Sequence, residues 1–270
     1  MLSGIGPRGD ARAARDRRAR GSPGVGQNLQ DRYEVAVVNR MKFDAWKSLR
    51  GATFTRDDAQ YREWANEREG VYDTQRRACS RSSRGRARTR SRQTCSCYAL
   101  VGRVPRILPG YSSELAKNPN CFTWVVLKAH TNNTAGEVTL RSADPRVPPL
   151  INFRYFDEGN DKARRGTDLA AVAAGVALAR RLTADASREG ASSRQEELPG
   201  DAVPDAKLPE FVRDNAWGHH ASCTCRIGAR KDGGVVSSDF KVHGVERLRV
   251  VDAVGRSRGS QATSSRARST

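Results

Sequence analysis

Cys121-Phe-Thr-Trp-Val-Val-Leu-Lys-Ala-His-Thr-Asn-Asn-Thr-Ala-Gly-Glu-Val-Thr-Leu-Arg141 is the stretch on which a fold can first be read. Phe122 to Ala129 is rich in β-branched and aromatic residues, Asn132 to Gly136 has turn chemistry, and Glu137 to Arg141 alternates as a half-buried strand does. The segment therefore predicts two strands joined as an antiparallel pair. Upstream, the glycine-punctuated turn Pro23 to Asp31 leads into a β-branched strand over Tyr33 to Asn39, and Trp46 to Gly70 reads as short helices and loops. Downstream, Leu150 to Phe153 reads as a short strand. Leu169, Val172, Val176, Ala179 and Leu182 then form an apolar stripe at helical spacing, with Asp168 at its start and Arg180 and Arg181 near its end. Ala184 to Pro199 reads as a polar linker, Leu208 to Trp217 as a shorter helix with Pro209 in its first turn, and Leu248 to Val251 as a buried strand ending at Asp252. The expected class is α+β: an antiparallel sheet with flanking helices.

Composition divides the chain unevenly. Its 48 Lys+Arg against 30 Asp+Glu give a net charge of +18, but residues 8–22, 76–97 and 254–270 carry +4, +8 and +4 of it. Those three stretches hold one residue of the Leu, Ile, Val and Phe set, Val254. The remainder is nearly neutral and apolar enough to bury a core, so the chain reads as a foldable protein interrupted by basic inserts. No run of 18 apolar residues is present and the N-terminus has no apolar secretory stretch, which predicts no membrane span and favours an intracellular location. Asp10 and Asp16 spoil a presequence reading of the arginine-rich opening. The six cysteines include two C-x-C pairs too tight for ordinary bridges, so free thiols are expected.

The densest chemistry lies in Gly218-His-His-Ala-Ser-Cys-Thr-Cys-Arg-Ile-Gly228, which holds two of the four histidines. Histidine is the side chain best suited to exchange protons near neutral pH. Three other uses remain open for it: a metal site on His219, His220, Cys223 and Cys225, although these lack the spacing of structural zinc ligands; a Cys-His nucleophile pair with no third group identified; and a satisfied structural histidine pair.

Trp217 to Gly228, followed by Phe240-Lys-Val-His-Gly-Val-Glu-Arg-Leu-Arg-Val-Val-Asp-Ala253, resembles the C-terminal signature of the glucose-methanol-choline (GMC) family of FAD-dependent oxidoreductases. Met1 to Pro7 is similar to the tail of that family's second signature, Pro23 to Asp31 to its P-G-V-G-x-N-L-x-D segment, and Gly136 to Phe156 to its substrate-domain pattern. The resemblance implies an FAD-binding Rossmann-like domain and an antiparallel-sheet substrate domain, oxidising a small-molecule alcohol at a CH–OH group, in the manner of choline dehydrogenase-like members. It implies residues 1–32 as a remnant of the FAD domain, 33–215 as the substrate-binding domain interrupted by the 76–97 insert, 216–253 as the return to the FAD domain, and 254–270 as an off-pattern tail. On the pattern H-x-x-[GSC]-T-C, His220 is the matching base, with His219 its neighbour. Asp252 and Ala253 match a turn that presents backbone to the diphosphate region, and Asn28 and Leu29 lie in the flavin-proximal loop. The chemistry agrees, because alcohol oxidation needs a group to take the hydroxyl proton while hydride leaves.

Three departures accompany the matches. The strand, G-x-G-x-x-G turn and helix that seat a pyrophosphate are not found, since Gly4, Gly6 and Gly9 follow no predicted strand. Val254 to Thr270 has no His, Asn or Pro to supply the second catalytic group. Asp31-Arg32 stands where the family has Asp-His. The chain alone is therefore expected to be inactive and, with faces made to pack on an absent domain, poorly soluble. The alternative is a basic interaction protein; the eight arginines from Arg76 to Arg92 suit adventitious polyanion binding, and with no interleaved aromatic they give no sign of specific nucleic-acid recognition. The basic stretches coincide with the places where the resemblance lapses, and their Arg-Ser-Ala-Gly composition is that of a GC-rich gene read out of frame. Translating the other frames of the same DNA should restore family sequence at all three places; finding none there refutes the idea.

Overall fold

Strands from four parts of the chain share one sheet, and its central strands are runs of buried small and β-branched residues. In the computed structural model, which describes residues 1–7, 20–73, 77–84, 93–157, 166–188 and 194–256, the strands are β1 (Ile5–Gly6), β2 (Arg20–Gly21), β3 (Gln27–Leu29), β4 (Glu34–Met41), β5 (Arg77–Arg84), β6 (Gln93–Val101), β7 (Cys121–Lys128), β8 (Gly136–Thr139), β9 (Leu150–Asn152) and β10 (Arg194–Leu198). The α-helices are α1 (Ala59–Glu67), α2 (Tyr111–Lys117), α3 (Thr167–Arg188) and α4 (Leu208–Asn215). Most of the three arginine-rich stretches, and the polyanion reading built on them, lie outside the described residues. No helix among the described residues is long and apolar enough to cross a membrane.

The chain divides into two compact units. The sheet unit, Tyr33–Lys128 with Leu169–Trp217, holds an antiparallel sheet in the order β10-β4-β7-β6-β5. Register places Val35 and Val37 of β4 opposite Val126 and Trp124 of β7, and those opposite Cys97 and Ala99 of β6, so these side chains share one face. Helix α3 packs there. A Cβ built on Gly175 stands 2.5 Å from Val126 Cγ1, the Trp124 indole N–H donates to Thr183 Oγ1 at 2.9 Å, and Val172, Val176 and Ala179 are fully buried. The helix stripe predicted from sequence is the buried one. Residues 77–84 and 93–101, largely within the basic insert, pair as strands, and Cys95, Cys97 and Ala99 alternate inward from β6.

The loop unit, Met1–Arg32 with Ala129–Asp168 and Gly218–Thr270, has a three-stranded antiparallel sheet β3-β8-β9 and the short parallel pair β1-β2. Val25, Val235, Val236 and Val242 form its apolar cluster, with Met1, Ile5, Cys225 and Ile227 packed around them. Much of the unit is held by single bridges and turns. The whole is α+β, as expected.

Three sequence expectations need correction. β7 and β8 do not pair with each other: β7 lies between β4 and β6, and β8 between β3 and β9. The intervening turn is recruited elsewhere, with the Asn132 backbone N–H donating to Asp168 Oδ2 at 2.6 Å. The predicted linker contains the end of α3 and edge strand β10, whose polar residues are used: Glu196 takes Arg180 Nη2 at 2.6 Å, and Glu197 takes Arg40 and, at 3.0 Å, Arg103. Leu248 to Val251 is no buried strand; Leu248 is 38% and Val251 71% exposed, and one bridge ties Arg249 to Lys241.

The approach of α3 to β7 is testable. Alanine in a helix interior normally outdoes glycine by about 1 kcal/mol, but overpacking costs about 1–3 kcal/mol. Gly175→Ala should therefore destabilise the protein by about 1 kcal/mol in denaturant titrations, and the same change on a Val126→Ala background should stabilise it.

Candidate active site around His220

Three segments distant in sequence run side by side in the loop unit. Gln30 and Ser222 exchange backbone bonds at 3.1 and 2.9 Å, and the Gly26 N–H donates to the Thr224 carbonyl at 2.9 Å. On the other side, Cys223, Cys225 and Ile227 donate N–H bonds to the carbonyls of Ala253, Val254 and Gly255 at 3.3, 2.7 and 2.7 Å. The 222–227 segment thus lies between the loop carrying Asn28 and the turn carrying Asp252 and Ala253, so the sequence-predicted site residues are assembled in one unit.

Their individual roles differ. Asn28 adopts a left-handed backbone (φ 64°), a conformation asparagine tolerates better than most residues, and its Nδ2 donates to the Cys223 carbonyl at 3.3 Å while its Oδ1 accepts from Gln30 Nε2 at 2.8 Å. Leu29 is buried and belongs to the packing. Asp252 is exposed and accepts the Val254 N–H at 3.0 Å, capping the single turn that holds exposed Ala253.

His220 is half-buried, with its ring centroid 4.2 Å from that of exposed His219. Its backbone N–H donates to Asp31 Oδ1 at 2.8 Å. Burial, then the neighbouring His219 and Arg32, push the imidazole below its ordinary 6.5, against the opposing pull of Asp31. The neutral ring, which can accept a proton, is thereby favoured. The thiol readings lose support, because burial pushes both Cys223 and Cys225 up and keeps them protonated. Among the described residues no close group of possible metal-ligating atoms includes Cys223 or Cys225, so the four-residue metal reading finds no support.

Beside Asn28 opens a cavity of about 500 Å³ whose lining includes Gln27, Thr134 and Arg226, which offer amide, hydroxyl and guanidinium donors. A second cavity, about 290 Å³ and lined by Phe54, Tyr72, Leu100, Val104, Tyr111 and Leu115 among others, lies within the sheet unit and is mainly apolar. Tyr155, which donates to Asp31 Oδ2 at 2.5 Å, is a site residue that sequence reasoning missed. Nothing in its local spacing links it to a carboxylate 124 positions away.

This fold is shared with solved enzymes: a variant of the formate oxidase of Aspergillus oryzae RIB40, made to follow modification of its FAD, superimposes with a TM-score of 0.75 over 96% of this chain and 48% of its own, at 24% identity. Among curated proteins, a patulin synthase from Aspergillus clavatus is 29% identical over 94% of this chain and 42% of its own length. An oxygen-dependent choline dehydrogenase from Paraburkholderia phymatum is 29% identical over 93% and 41%. Residues 132–254 match the family model of the GMC oxidoreductase C-terminal region. The chain spans less than half the length of these relatives.

The depressed imidazole sets a pH dependence. As pH falls through 6.5 the unfolded chain binds a proton that folded His220 refuses, so stability declines from there down to the folded midpoint and then levels. An NMR titration of the histidine Cε1–H signals should find His220 with a midpoint below 6.5, and His220→Gln should flatten this part of the stability profile.

Proposed function

We propose that this chain is the substrate-domain and active-site portion of a flavin-dependent oxidoreductase acting on the CH–OH group of a small alcohol, with His220 as the base. The observation that carries the reading is the half-buried imidazole of His220 on a segment hydrogen-bonded between two flanking segments whose counterparts in the family approach the cofactor. The residues present suit FAD in part. The cavity beside Asn28 provides donors fitted to the polar and anionic parts of a dinucleotide, and Asp252 and Ala253 are exposed beside the histidine segment. No described helix opens on a glycine-rich phosphate turn, so the adenosine side finds no such seat among the described residues.

When bound, FAD supplies the hydride acceptor. His220 would take the hydroxyl proton at an imidazole nitrogen, and Asn28 and Arg226 would hold polar groups of the cofactor. The sheet unit is read as the body of the substrate domain, and residues 1–32 and 216–253 as the parts belonging with an FAD domain. The 270 residues alone are expected not to turn over alcohols, because hydride needs a held flavin.

Titration of FAD into the purified chain, followed by flavin fluorescence, should show quenching that Asn28→Ala weakens, with no turnover of choline or aryl alcohols. Turnover overturns the inactivity, and a flat titration overturns the cofactor contacts. In a fusion that supplies a relative's FAD-binding domain, His220→Ala should lower kcat by about 10²–10⁴-fold, the usual worth of a positioned base.

A further inference from the structure

We infer that Asp31, held by Tyr155, is the positioning residue that fixes His220; the inference rests on the reading of His220 as the base. Asp31 is 3% exposed. Its Oδ1 accepts the backbone N–H groups of Arg32 and His220, both at 2.8 Å, and its Oδ2 accepts the Tyr155 hydroxyl at 2.5 Å. A carboxylate removed from water needs such donors, and here they come from three separate stretches of chain.

Two further features show that the structure is built around this contact. A Cβ on Gly218 would lie 2.3 Å from Asp31 Oδ2 and 2.8 Å from the Tyr155 hydroxyl, so only glycine lets the histidine segment close on the pair. Tyr155 itself is presented by strained backbone. Arg154 (φ 47°) and Phe156 (φ 62°) flank it in the left-handed region, where non-glycine residues are disfavoured. Buried Asn133 secures that turn, its Nδ2 donating to the carbonyls of Phe153 and Arg154 at 2.9 Å each and its Oδ1 accepting the Ala135 N–H at 2.8 Å. The substitution of arginine for the family's histidine at Arg32 leaves this arrangement intact, because Arg32 contributes its backbone N–H.

The test uses the full chain with labelled histidines. Tyr155→Phe keeps the ring and removes the hydroxyl; Asp31→Asn places donors where donors already point. Both should broaden or shift the His220 imidazole signal and speed exchange of its backbone N–H by about tenfold or more, while His130 and His243 stay in place. An unchanged His220 signal and exchange rate in folded variants overturns the inference. Should Asp31→Asn fail to fold, Tyr155→Phe alone decides. If His220 is displaced in Tyr155→Phe yet His220→Ala in a fusion that supplies a relative's FAD-binding domain leaves alcohol oxidation untouched, the positioning stands and the base assignment falls. If His220→Ala abolishes oxidation while Tyr155→Phe leaves the His220 signal unmoved, the positioning falls alone.

Discussion

A carboxylate buried away from water must collect hydrogen-bond donors or lose several kcal/mol, and in the loop unit that requirement falls on Asp31. Its donors come from positions 32, 155 and 220, so satisfying one side chain brings three stretches of chain to a common point. The backbone ladder from residue 26 through 222–227 to 253–255 extends from there. Little of this unit is regular secondary structure, and its apolar cluster is small. Polar satisfaction therefore carries much of the specification that packing supplies elsewhere.

The sheet unit reverses that balance. Its central strands are buried nearly end to end, and α3 lies close enough on β7 that a glycine faces Val126. Two of its arginines are each shared among several acceptors. Arg180 spreads its donors over Glu196, Asp205 and the carbonyls of Gly200 and Val203, and Arg40 reaches Glu197, Asn118 and Asn120. Both arginines bind β10, so this polar strand is attached through side chains as much as through its ladder.

What the sequence made legible follows the range of the interactions involved. The α3 stripe, β4 and β9 were readable because hydrophobic period and local propensity determine them, and the α+β class with them. The pairing of β7 with β8 was misjudged because turn chemistry at Asn132 to Gly136 suits a hairpin, whereas the asparagines there cap Asp168 and brace the turn before Tyr155. β10 was missed because glutamates in a strand make sense only beside arginines far away in sequence. At the site, His220, Asn28 and the Asp252 turn were recognisable as motif residues, but Asp31's partner Tyr155 and the close approach at Gly218 are long-range facts that no local pattern encodes.

The outer edge of β10 has one more consequence. A strand at the end of a sheet ordinarily offers its outward N–H and C=O groups to any passing strand. Here the Glu196 N–H, which would be such an offer, is already taken by Asp201 Oδ2 at 2.8 Å from the turn that follows. A side chain in the next few residues thus acts as a plug. Sheet extension from this margin, the route by which molecules with open edges polymerise, must first displace an ionised group from its bond.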